Sequence, residues 1–171
     1  MSSEAYLFYD CVDSLLARIS RSVSNCSNSD SKELSKDHLL ELESLFGQAL
    51  LERALTLVHG KTPIKLYRTP NGIGRLYEIP GSKVAVTYKV FPAINFCTCE
   101  SFRYWVLQQR HQPTCKHILA TSLAKLLGKV AEEVLEDKYF FKLKSELIKE
   151  RMKTISHPVQ GTSNQPRVLS P

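Results

Sequence analysis

Two cysteines one residue apart, Cys97 and Cys99, stand fifteen residues ahead of a second close pair, Cys115 and His117. Three thiols and one imidazole are the donor set of a closed, structural zinc site, where a tetrahedral metal sits about 2.3 Å from sulfur and about 2.0 Å from nitrogen. The spacing suits that chemistry. Side chains alternate along an extended strand, so Cys97 and Cys99 share a face, and a sharp bend at Thr98 brings both thiolates onto one metal. Two residues of regular helix turn through about half a circle, which would part Cys115 from His117. Cys115 is therefore expected just ahead of a helix starting near His117, where the positive helix end favours its thiolate. Pro113 fits such a start.

Chance clustering and a disulfide network are the competing explanations. The chain has 5 cysteines, and chance does not readily give two tight pairs with a histidine completing the second. Cys97 and Cys99 are too close for an easy bridge, the cysteine count is odd, and no signal-peptide pattern precedes them. The spacing thus predicts one structural Zn2+ held by Cys97, Cys99, Cys115 and His117. Cys11, on an apolar helical stretch, and Cys26, among serines, read as plain thiols, and His111 as a surface histidine. Four protein ligands leave zinc no open position, so catalytic zinc is not expected. The His-x-Glu and Pro-Cys-x-x-Cys of the zinc deaminases are absent. A redox Cys-x-Cys enzyme would need metal-free, accessible thiols, and Asn71-Gly72-Ile73-Gly74 lacks the lysine and hydroxyl residue of a phosphate loop. No enzyme and no small-molecule substrate are expected.

The surrounding elements must position these donors. Phe8, Val12, Leu15, Leu16, Ile19 and Val23 recur at helical spacing, and a polar loop follows over 24–32. A second helix is predicted from Lys36 to His59, capped by Ser35 and ended by Gly60. Ala49, Leu50, Leu51, Ala54, Leu55, Leu57 and Val58 cover much of its later circumference. Such a helix must be buried on several sides, either by the first helix and the sheet or by a partner protein. Ile64–Tyr67 and Leu76–Ile79 flank the turn sequence Pro70-Asn71-Gly72. Lys83–Val90 alternates, with Val84, Val86, Tyr88 and Val90 on one face, and Ile94–Cys97 is the last strand, feeding the metal. A helix from Glu100 to about Gln109 is expected to pack Phe102, Trp105 and Val106 over the metal, with base stacking the alternative for Trp105. The helix after His117 carries Ile118, Leu119, Leu123, Leu126 and Leu127. A final helix from Val130 to about Lys153 shows Val134, Phe141 and Ile148 at sevenfold spacing, a docking or self-packing surface. The tail from His157 reads as disordered.

The fold class is therefore α+β: a small antiparallel β-meander with a CxCx15CxH zinc finger and flanking helices. Its parts are an N-terminal helix and polar loop over 1–35, a helix plus strands over 36–92, the finger over 93–130, a C-terminal helix over 131–155 and a disordered tail over 156–171. The 23 Lys+Arg against 17 Asp+Glu permit nucleic-acid contact without requiring it. No run of eighteen apolar residues spans a membrane, and thiols kept for a metal imply a reducing compartment.

Cys-x-Cys, an aromatic- and aliphatic-rich gap, then Cys-x-His resembles the SWIM zinc finger. Leu45-Phe46-Gly47, Ala54-Leu55-Thr56-Leu57-Val58 and two short strands ending near Gly81-Ser82, ahead of the finger and its helix, are similar to the SWIM subunits of Shu homologous-recombination complexes. The resemblance covers about residues 36–130; nothing about 137–171 follows from it. It implies a nuclear, non-enzymatic adaptor paired with a recombinase-paralogue protein as a heterodimer. Such subunits support recombinase filament assembly on single-stranded DNA, reached through the complex. The alternative is a direct nucleic-acid binder using Arg103, Arg110, Lys116, Lys125 and Lys129. Lys116 and Arg103 could equally balance the negative charge of the metal site.

Overall fold

The computed structural model describes residues 3–25, 32–81 and 86–155, with side chains described over 10–24, 32–81, 86–147 and at 149. Cys26, the start of the predicted strand at 83–85, most of the polar loop, the side chains of Phe8 and Ile148, and the tail from residue 156 lie outside the described residues.

Helix α1 spans Ser3–Asn25. The predicted long second helix is two helices, α2 (Lys36–Phe46) and α3 (Gln48–Val58), divided at Gly47. Gly47 has φ +79°, a conformation that glycine adopts freely and that no α-helix contains. Ser35 caps α2 as expected: its hydroxyl accepts from the His38 amide, and His38 Nδ1 accepts from the Ser35 amide. The cover over α3 also differs. Its buried residues, Leu51, Ala54 and Val58, pack chiefly on helix α4 (Lys116–Leu126) rather than on α1. Leu50, Leu55 and Leu57 lie half-buried against the same core, and Ala49 is exposed. The chain itself covers most of α3, so Leu51, 4% exposed, is a core residue and not a docking surface.

Strands β1 (Ile64–Arg68), β2 (Arg75–Pro80), β3 (Thr87–Phe91) and β4 (Phe96–Cys97) form the expected antiparallel meander. β4 is shorter than predicted: Pro92–Ile94 form a 3-10 turn closed by Asn95 at φ 45°, so the ladder resumes only at Phe96. A fifth strand, β5 (Val130–Val134), replaces the first turns of the predicted last helix and pairs in parallel with β1. The sheet order is β4-β3-β2-β1-β5. Gly128 at φ +68° ends α4, and β1 offers an open edge. β-branched Val130 and Val134 and an Arg68–Glu132 ion pair at 3.1 Å accompany the pairing. Helix α5 begins only at Asp137 and runs to Ile155, so Val134 and Phe141 share no helical stripe.

Alternation separates the two faces of the sheet. Ile64, Leu66, Tyr77, Ile79, Val90 and Cys97 belong to the main core, with Leu42, Leu119 and Leu123 from the helices. Leu76 and Phe140 are also buried, at 0% and 5% exposure, but lie outside that cluster. Phe140 of α5 lies against Gly74, where a Cβ would come within 2.6–2.9 Å of the ring. Asn71 Nδ2 donates to Asp137 at 3.5 Å, tying α5 to the β1–β2 turn. No helix among the described residues is long and apolar enough to cross a membrane.

Candidate metal centre

β3, β4 and the start of α4 converge on one point, and there the donors meet. One ligand-capable atom from each of Cys97, Cys99, Cys115 and His117 lies within 4.8 Å of all the others, and all four residues are buried. Cys97 Sγ stands 3.8 Å from His117 Nδ1. Tetrahedral bonds of about 2.3 Å to sulfur and 2.0 Å to nitrogen separate donors by about 3.5–3.8 Å, so the cluster needs only slight contraction to close on an ion. His117 Nε2 is buried with no hydrogen-bond partner among the described residues. The sulfur-facing nitrogen is Nδ1, so a metal in the cluster would take Nδ1 and leave Nε2 to a separate hydrogen-bond partner. The donor set and its spacing fit one structural zinc.

Local backbone geometry puts the sulfurs there. Cys97 ends β4 opposite Val90. At the next position Thr98 donates its amide to the Lys89 carbonyl at 3.0 Å and accepts the Lys89 amide through Oγ1 at 2.9 Å. A side-chain oxygen thus takes the place of a ladder carbonyl, the chain turns, and Cys99 comes round beside Cys97. Backbone amides then aim at the sulfurs: Cys99 N at Cys97 Sγ, 3.5 Å, and Phe102 N at Cys99 Sγ, 3.3 Å. Such bonds favour thiolates. Cys115 is the N-cap of α4, in extended conformation, and His117 is the second residue of the helix, as the spacing required.

The acidities follow from the crowding. Hydrogen bonds with Cys115 and Cys99, together with burial, push the Cys97 thiol well up. Hydrogen bonds from Cys115 and Cys97 pull Cys99 far down. Cys115 is pushed up to about 12: a bond with Cys97 lowers it, but a bond with Cys99 and burial outweigh that. Each sulfur's ionisation thus depends on its two neighbours, and three thiolates cannot crowd together there unaided. A divalent cation is the group that lets all three ionise.

The tyrosine ring of Tyr88 on β3 sits 4.5 Å from the His117 ring, tilted by 40°. Burial, then the charges of Cys99 and Cys97, raise the Tyr88 hydroxyl pKa. Phe102 is buried and meets Phe96 edge-on at 5.5 Å. Val106 packs against the same core. Trp105 does not: it is 39% exposed. The segment Phe102–Gln108 is a π-helix, with Gln109 N donating to Tyr104 O. Its wider turn keeps Val106 on the side of Phe102 and carries Trp105 outward, against Tyr104 and within 6.3 Å of His111. His111 is exposed, as expected. Arg103 pairs with Glu100 at 2.8 Å rather than with the site. Cys11 is an exposed free thiol. The Thr98 side-chain hydrogen bond and the Tyr88 ring are what sequence reasoning did not foresee at the site, although it expected the chain to bend at Thr98. A β-branched hydroxyl residue between two ligands was the available signal for the first; nothing local marks the second.

A buried Cys3His cluster between a strand end and a helix start defines a zinc-finger protein. Residues 88–126 match the SWIM zinc finger, and that stretch contains all four donors. The chain is 31% identical over 129 residues to "Zinc finger SWIM domain-containing protein 7" of Mus musculus, across 75% of this chain and 79% of that relative. Its counterpart of the same name in Homo sapiens is 30% identical over 127 residues, across 74% of this chain and 84% of the relative. The one in Danio rerio is 27% identical over 116 residues, across 64% and 75%. The chain belongs to the zinc finger SWIM domain-containing protein 7 family. No solved structure matches it.

Proposed function

We propose that this chain is a non-enzymatic, nuclear adaptor of a Shu-type complex. In this reading Cys97, Cys99, Cys115 and His117 bind one structural zinc. The chain pairs with a recombinase-paralogue protein, and the pair promotes homologous recombination by supporting recombinase filament assembly on single-stranded DNA. The observation that carries the zinc and adaptor part is the burial of all four donors. A metal so enclosed has no open position for substrate or activated water, and its contribution is to the fold. Zinc then fixes the start of α4, and α4 carries α3 and part of α1. The family kinship supports the recombination part.

The test is genetic and biochemical. Cells lacking the protein are expected to be sensitive to replication-blocking damage, and Cys97→Ala or His117→Ala transgenes to fail both in rescue and in co-purifying the recombinase paralogue. Full rescue by both variants overturns the link from metal to partner to repair. A second reading, direct nucleic-acid binding, draws on the exposure of Trp105 and Tyr104, 39% and 43%, near the cationic Arg110. Strong binding of the isolated chain to single-stranded DNA, falling steeply with salt, would favour it.

A further inference from the structure

An open cleft of about 1180 Å³ runs between α1, the π-helix and α4. Among its described side chains, α1 packs tightly only toward its C-terminus, where Ile19 and Val23 are 0% and 6% exposed. Earlier in the helix Val12 and Leu16 are half-buried and line the cleft. Val106, Leu107 and Ile118 line it as well. The volume exceeds that of a small-molecule pocket, about 300–1,000 Å³, and suits a macromolecular segment.

Two further features point to an occupant. Thr114, which lines the cleft, is only 5% exposed, and its Oγ1 has no hydrogen-bond partner among the described residues. A buried hydroxyl left unpaired is costly, and a polar group entering the cleft would satisfy it. The charged lining residues are Arg75, Arg110 and Lys125 against a single acid, Asp13. None of those cations forms an ion pair among the described residues. Arg110 adopts φ 55°, a backbone conformation that arginine seldom takes.

Charge selects among occupants. Residues 156–171 contain no Asp or Glu but do contain His157 and Arg167, the wrong sign for this rim. A second copy would bring another chain of net charge +6. We propose that the cleft receives an amphipathic helix of a protein partner, its apolar stripe against Val12, Leu16, Val106 and Ile118 and its flanking Asp or Glu residues against Arg75, Arg110 and Lys125. A helix is about 10–12 Å across, and apolar helix-in-groove docking with charged flanks is an established mode of recognition. This rests on the adaptor reading for the existence of a protein partner, not for its identity or for repair.

Leu107 lines the cleft and is 52% exposed, so a photo-crosslinking amino acid placed there in the full chain, expressed in cells, reports the occupant. Mass spectrometry is expected to find a partner segment with apolar residues at helical spacing and an acidic flank. That segment, made as a synthetic peptide, should bind the zinc-loaded chain at least about tenfold more weakly after Arg110→Glu with Lys125→Glu. Exchanging the peptide's acids for lysines should restore binding to the variant. Both substituted residues are exposed, and unchanged zinc content verifies that the variant is folded. A crosslink to residues 156–171, to a second copy or to nucleic acid overturns the proposal. So does the absence of any crosslink, a segment without acids, or binding indifferent to the charge reversal. Intact repair in cells carrying the double variant, with peptide binding lost, would count against the recombination reading alone.

Discussion

Replacing Thr98 by valine keeps the side chain's shape and removes one oxygen. That oxygen accepts the Lys89 amide at 2.9 Å, at a residue only 8% exposed, so water cannot readily take its place. A buried amide left without an acceptor costs about 1–3 kcal/mol. Site and fold form together in zinc fingers of this kind, so the loss should appear as weaker zinc binding, by about 5- to 150-fold. The measurement is competition for zinc between the full-length protein and a chromophoric chelator at neutral pH, run on wild type, Thr98→Ser and Thr98→Val. Serine keeps the oxygen and should stay within about threefold of wild type, allowing for the lost methyl. Equal affinity of the valine variant and wild type would refute the reasoning. So would a serine variant as damaged as the valine one, because the effect would then lie in the methyl group and not in the hydrogen bond.

Gly74→Ala places a Cβ within 2.6–2.9 Å of the Phe140 ring. It should destabilise the zinc-loaded protein by about 1–3 kcal/mol in urea unfolding, with zinc stoichiometry unchanged. Glu78→Leu removes the carboxylate that pairs with the Lys89 ammonium, whose side chain is 10% exposed, and should cost about 2–4 kcal/mol. Adding Lys89→Met should recover most of that in the same assay, since an apolar pair can replace a buried ion pair at little cost. Because the Cys97 and Cys115 thiols are raised and Cys99 is lowered, the first two carry protons at neutral pH in the emptied site. Zinc binding should therefore release two protons, or up to three if the emptied site unfolds, and affinity should rise with pH. Calorimetry in buffers of different ionisation enthalpy reads this number, and one proton or none would contradict the assignment.

What was legible in the sequence was what depends on residue type at short range. The donor quartet, the Cys115 position ahead of α4, the Ser35 cap and the alternating strands all follow from rules that act within a few residues. The misplaced elements depend on something farther away. Val130–Val134 contains Ala131, Glu132 and Glu133, good helix formers, and becomes a strand because the edge of β1, some sixty residues earlier, accepts it. Gly47 was visible, but its φ of +79° was not, and an isolated glycine inside a helical pattern is often tolerated. The π-helix preserves the apolar content of the finger's gap while changing its period, so a reading at 3.6 residues per turn kept Phe102 and Val106 inside and misplaced Trp105.

X-ray absorption at the zinc edge of the purified full-length protein tests the central claim most directly. The account predicts one zinc per chain with three sulfur neighbours at about 2.3 Å and one nitrogen neighbour at about 2.0 Å, and no bound water oxygen. A site with an oxygen ligand, with two sulfurs only, or with a spectrum unchanged by Cys115→Ser would contradict it.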